Sequence, residues 1–143
     1  MPNKDYRKKL APVIAASWFT IDKGTYVYAS VAEVKDSEKH LMVIRDGQEI
    51  TIVTEMNNLP LSGNYQLNKE HWKMLNIRCG NPFYCVGFIA YITDVLAVEG
   101  IDIVITSSFS NDLVLVMEAD LEKAVILLKN AGFQQHFDAA AGK

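Results

Sequence analysis

At 143 residues, half of them hydrophobic and 22% charged, the chain can fill one ordinary core or two very small ones. Its formal net charge of −3 is spread over interspersed acids and bases, so no basic stripe exists to neutralise phosphates, which argues against nucleic acid as the main partner. Residues 1–9 are polar and lack the apolar segment of a secretory signal, and the longest apolar runs are far too short to span a bilayer. A cytoplasmic protein without membrane contact is therefore expected.

In chain order, residues 6–14 read as a short helix, which Pro12 kinks or ends unless it lies near a terminus. Gly24 opens a β-branched and aromatic run, 25–31, with the composition of a strand. For 37–46 two readings compete. A short helix capped by Ser37 is one; the other sets strands 41–44 and 50–54 about an Asp46-Gly47 turn, and the turn chemistry favours these antiparallel strands. The turn-rich segment 57–68, with Leu59-Pro60 and Ser62-Gly63, is the expected connector between two halves.

Periodicity is sharper in the second half. Residues 72–77 alternate as a strand, with Trp72 and Met74 on one face and Leu75 and Ile77 towards the other. Within 84–99, Cys85, Ile89, Ile92 and Leu96 fall on one helical stripe, and Gly100 ends the helix in a left-handed conformation. Ile101, Ile103 and Ile105 alternate with Asp102, Val104 and Thr106 as the next strand. The nearly continuous apolar run 113–117 suits a strand buried on both sides or paired across an interface. Asp120 is placed to cap a helix ending before Gly132, in which Leu121, Val125 and Leu128 recur at helical spacing. A short strand over 133–137 and a disordered tail complete a small α+β sandwich.

Signatures of chemistry are few. His40, His71 and His136 are scattered without metal-ligand spacing, and Cys79 and Cys85 do not form a Cys-Xaa-Xaa-Cys pair. Their spacing does not exclude a disulfide, but reduced thiols fit the expected compartment. No catalytic Ser/His/Asp order, nucleophile elbow, phosphate loop or dinucleotide fingerprint is present, so neither an enzyme nor a cofactor is indicated.

Unusual turn chemistry gathers instead at 81–87 and 107–112, which the order of elements can bring together. Gly87 allows a ligand to approach the backbone, beside helix N–H groups that attract a carboxylate; it also suits close helix–sheet packing. Asp112 can accept hydrogen bonds from an α-ammonium group near the Ser107 and Ser108 hydroxyls, or Asn111-Asp112 can simply close a β-turn. Phe83, Phe88 and Phe109 can wall an apolar pocket or join the core, Phe88 above all. Trp18 and Trp72 are assigned to the core or to a contact between units.

The runs Asn81-Pro82-Phe83-Tyr84-Cys85-Val86-Gly87-Phe88-Ile89-Ala90, Leu96-Ala97-Val98-Glu99-Gly100-Ile101 and Ser107-Ser108-Phe109-Ser110-Asn111-Asp112 resemble the ACT domain. More closely, the chain resembles short bacterial proteins that hold two ACT-like units, to whose first half Ile44-Arg45-Asp46-Gly47-Gln48-Glu49-Ile50-Thr51-Ile52-Val53 is similar. The second half is also similar to the ACT repeats of animal cytosolic arginine sensors. This resemblance implies ferredoxin-like βαββαβ units in tandem: a degenerate unit over 1–64, an ACT domain over 65–138 and a tail over 139–143.

It also implies no catalysis and no cofactor, but a small-molecule ligand, most commonly an amino acid, held at an interface between ACT units. The residues it carries to the ligand are Asn81, Pro82, Phe83, Val86, Gly87, Phe88, Ser107, Ser108, Phe109 and Asp112. One departure is plain: the family's Asp-Xaa-Pro-Gly loop is Asn81-Pro82-Phe83 here, with Gly87 further along. A homodimer about a two-fold axis is expected. The rival reading keeps the same loops for protein contacts, in an interaction module without a small-molecule ligand.

Overall fold

The computed structural model describes residues 6–59, 64–80 and 85–137, and the chain divides into two compact units. One combines residues 1–22 with 74–143, and the other is 23–73. These are not the sequential halves 1–64 and 65–138, because the N-terminal segment joins the C-terminal one. The expected tail beyond 138 lies outside the described residues.

In the larger unit the chain runs α1 (Tyr6–Ala15), β1 (Trp18–Ile21) and then, after the smaller unit, β6 (Trp72–Arg78), α2 (Phe88–Ala97), β7 (Ile103–Ser107), β8 (Asp112–Met117), α3 (Leu121–Asn130) and β9 (Gln134–Gln135). The smaller unit holds β2 (Tyr26–Val31), β3 (Met42–Arg45), β4 (Ile50–Glu55) and β5 (Tyr65–Leu67). Both antiparallel strands favoured around Asp46-Gly47 form. The Asp46 carboxylate accepts the N–H groups of Gln48 and Glu49 at 2.8 and 2.9 Å, fixing the turn.

From β6 onwards the larger unit is βαββαβ, with one addition. β1 lies between β6 and β9, antiparallel to the former and parallel to the latter, so the sheet order is β9-β1-β6-β8-β7. Without β1 this is the order of a ferredoxin-like sandwich. Phe19 and Ile21 pair with Ile77 and Leu75, and these side chains enter one core with Leu10, Val13 and Ile14 of α1, Ile92 and Leu96 of α2, and Leu128 of α3. Each fully buried aliphatic or aromatic side chain contributes about 1.5–3 kcal/mol of transfer free energy.

Pro12 lies inside α1, and the helix ends three residues after it at Ala15. Beyond that end, the buried Ser17 hydroxyl donates to the Val13 carbonyl at 2.6 Å and accepts the Gly80 N–H at 2.7 Å, tying α1 to the exit of β6. A Cβ at Gly80 would come 2.7 Å from Ala16 Cβ and 2.8 Å from the Val13 carbonyl, so only glycine fits there.

Helix α2 differs from the expected stripe. It begins at Phe88, not near Tyr84, and buries Phe88, Ile92 and Leu96, while Cys85 precedes it and Ile89 is left partly exposed. The expected C-terminal glycines are present. Gly100 and Gly132 have φ of +76° and +109°, and the N–H groups of Ile101 and Phe133 return to Leu96 and Leu128. Asp120 occupies the N-cap position of α3 but makes no side-chain cap, since a single 3-10 turn (Glu118–Asp120) leads into the helix.

The smaller unit has strand order β3-β4-β2-β5, with antiparallel pairing throughout. That is again the ferredoxin-like order, with 3-10 turns (Ser37–Lys39 and Met56–Asn58) where its helices would stand. Val27, Ala29, Val31, Ile52 and Leu59 form its core. Strand β5 falls inside the segment expected to be a connector.

Candidate functional site

In the larger unit, β6 and β8 are neighbours, which sets the exit of β6 and the entry of α2 beside the β7–β8 hairpin. Between them lies a cavity of about 210 Å³, lined by Cys79, Cys85, Phe88, Ile89, Ser107, Ser108, Ser110, Asn111 and Asp112. Cys85, from the first of the two loops singled out by their turn chemistry, therefore shares a cavity with the second.

The hairpin is closed by Ser108. Its backbone N–H donates to the Asn111 carbonyl at 2.9 Å, and its hydroxyl accepts the Asn111 N–H at 3.2 Å. This leaves the Asp112 carboxylate for another use. The Ser107 hydroxyl donates to Asp112 Oδ1 at 2.7 Å, and the two residues are cross-strand partners, so the carboxylate is held in place on the cavity wall.

On the other wall, α2 starts with Gly87 at its N-cap, with φ +90°. Glycine brings no side-chain acceptor; the Phe88 N–H donates to the Cys85 carbonyl at 3.2 Å, and the next N–H groups, of Ile89 and Ala90, have no side-chain cap. Ile89, in that first turn, lines the cavity.

Of the expected ligand residues, Phe88, Ser107, Ser108 and Asp112 line the cavity together. Phe88 is also part of the core. Val86 and Phe109 do not line it and are 89% and 95% exposed. Gly87 faces the other way: a Cβ there would overlap the Tyr6 ring, 2.7 Å from Cε2. Asn81, Pro82 and Phe83 lie outside the described residues.

Cys79, Cys85, Ile89, Ser110 and Asn111 were not singled out as ligand residues by the sequence. For the two cysteines the available signal was position: Cys79 lies just before the first loop and Cys85 within it. Trp18, assigned to core or contact, stacks on His136 at 5.0 Å, with the Arg78 guanidinium 5.6 Å from its ring centroid.

Burial, and then the nearby Cys85 and Asp112, push the Cys79 thiol up to about 11 from an ordinary 9.0. The folded state thus holds this proton more tightly than the unfolded state. The resulting stabilisation is complete below about pH 9 and is lost as pH rises through about 11. Thermal unfolding of wild type and Cys79→Ala across that window should show the larger loss in wild type; equal pH dependence would remove this account.

Residues 68–130 match the ACT domain. This segment contains every residue that lines the cavity. Among solved structures, the chain is similar to a Vibrio cholerae protein of unknown function described as a possible transport protein. There the TM-score is 0.77 at 18% identity, covering 89% of this chain and 98% of that one. An Agrobacterium tumefaciens protein gives 0.71 at 24% identity, covering 85% and 93%. Aspartate kinase from Clostridium acetobutylicum, an allosteric enzyme, gives 0.60 at 15%, covering 80% of this chain but 34% of the kinase. No curated protein matches the sequence.

These likenesses show the fold. Among the described residues no helix is long and apolar enough to cross a membrane, and no group of three His, Cys, Asp or Glu side chains could hold a metal ion. ACT domains are in general small-molecule-binding regulatory modules.

Proposed function

We propose that the chain is a regulatory protein of the cytoplasm that binds a free amino acid in this cavity and catalyses nothing itself. The observation that carries the reading is the pair of opposed walls. Asp112, fixed by Ser107, can take the α-ammonium group, and the uncapped first turn of α2 can take the α-carboxylate. The strand order of the smaller unit supports a second, degenerate ACT-like unit within 23–73, giving a tandem whose segments alternate along the chain.

One observation favours a second partner. Val86 and Phe109, one from each of the two loops, are almost fully exposed apolar side chains. We assign them to a homodimer contact that closes over the occupied site and reports occupancy as altered association. The rival reading gives the same two residues to a different protein and leaves the cavity without a ligand.

A thermal-shift screen against the common amino acids separates these readings. At one hundred times Kd a ligand adds about 2.7 kcal/mol to stability, and Asp112→Asn, which keeps the shape and removes the charge, should abolish the shift. Silence at millimolar amino acid would transfer the case to the interaction module.

A further inference from the structure

We infer that the cavity selects an amino acid with an uncharged aliphatic or thioether side chain and rejects arginine and lysine. The inference rests on the proposed amino-acid site and specifies its occupant. Residues 79–93 and 103–111, which include the whole of both loops, contain no Asp, Glu, Lys or Arg. Among the described residues that line the cavity, Asp112 is the one carboxylate. An amino acid brings an α-ammonium group wherever it binds, and the Ser107-held carboxylate on the wall is the group available to match it. A guanidinium or a second ammonium would then sit against a wall with no counter-charge, which is unfavourable away from water. An acidic side chain would be repelled by Asp112.

The remaining wall is apolar and polarizable: the Phe88 ring, Ile89 and the sulfurs of Cys79 and Cys85. Cys79 is held as a neutral thiol at physiological pH by its burial, so it adds no charge. Methylene and thioether groups pack favourably on such a surface, sulfur on aromatic edges in particular.

The test is a calorimetric and thermal-shift panel of leucine, isoleucine, valine, methionine, serine, glutamate, lysine and arginine, on wild type and on Ile89→Glu. Position 89 is 42% exposed and lies in the first turn of a helix, where an acidic residue is tolerated, so the variant should fold. It supplies the missing second carboxylate. The expected result is binding of one or more of leucine, isoleucine, valine and methionine at least about a hundredfold tighter than arginine or lysine in wild type. In Ile89→Glu, a basic amino acid should gain at least about tenfold while the aliphatic one weakens. Tighter binding of arginine, lysine, glutamate or serine by wild type would overturn the selectivity and leave the amino-acid site standing. No response to any of the eight would overturn the site itself, and this inference with it.

Discussion

Gly87→Ala is expected to destabilise the protein by about 2–6 kcal/mol, read as a fall in the midpoint of thermal or denaturant unfolding. Two separate costs add. An alanine at φ +90° sits in a region that L side chains rarely adopt, at about 1–3 kcal/mol. Its methyl group would also overlap the Tyr6 ring, and overpacking of this kind costs about 1–3 kcal/mol more. A double-mutant cycle with Tyr6→Ala apportions the two. The alanine at 87 should cost less when the ring is gone, and the residual is the backbone strain. Additive effects would show that the ring does not fill the space beside Gly87. Since Gly87 fixes where α2 begins, the substitution should also disturb the cavity wall formed by Phe88 and Ile89.

A fragment of residues 65–143, which contains the whole ACT-matching segment, is expected to lack cooperative unfolding. It would lose β1, and β9 would have no strand beside it, because β1 is what separates it from β6. It would also lose Leu10, Val13, Ile14 and Phe19 from the core. In the full chain, the single substitution Phe19→Ala tests the same point. That ring is fully buried, and its truncation should cost about 3–5 kcal/mol. Near-ultraviolet circular dichroism and calorimetry of the fragment decide the matter. A sharp heat-absorption peak would mean that residues 65–138 are an autonomous domain after all.

The contrast between β1 and α2 shows what the sequence could reveal. Trp18–Ile21 is four residues long, follows a helix directly and has no alternation of its own. Its strand character comes from partners at 75–78 and 134–135, information that no local window holds. Strand β5 is similar, three residues hidden in a turn-rich stretch. Helix α2 was legible but out of phase. The Cys85-Ile89-Ile92-Leu96 and Phe88-Ile92-Leu96 stripes share two members, so periodicity alone could not choose; the left-handed Gly87 did.

Gly100 and Gly132 were readable because helix ends impose a local backbone requirement, one that glycine meets without strain. At the site, Asp112, Ser107 and Ser108 were legible from hairpin chemistry. Phe109 was not, because Ser108 and Asn111 close the turn and turn the residue after Ser108 out to solvent.

The placement of β1 also governs when the sheet can be completed. One side of this strand finds its neighbour once residues 72–78 exist, but the other waits for β9. There, the Gln134 side-chain amide reaches back to the Ala15 carbonyl across 119 positions. At a ribosomal rate of about 5–20 residues per second, the 56 positions from Arg78 to Gln134 take about 3–11 seconds. Throughout that interval the nascent chain carries a core strand with one bare edge, and closure is deferred until residues 134 and 135 have been added.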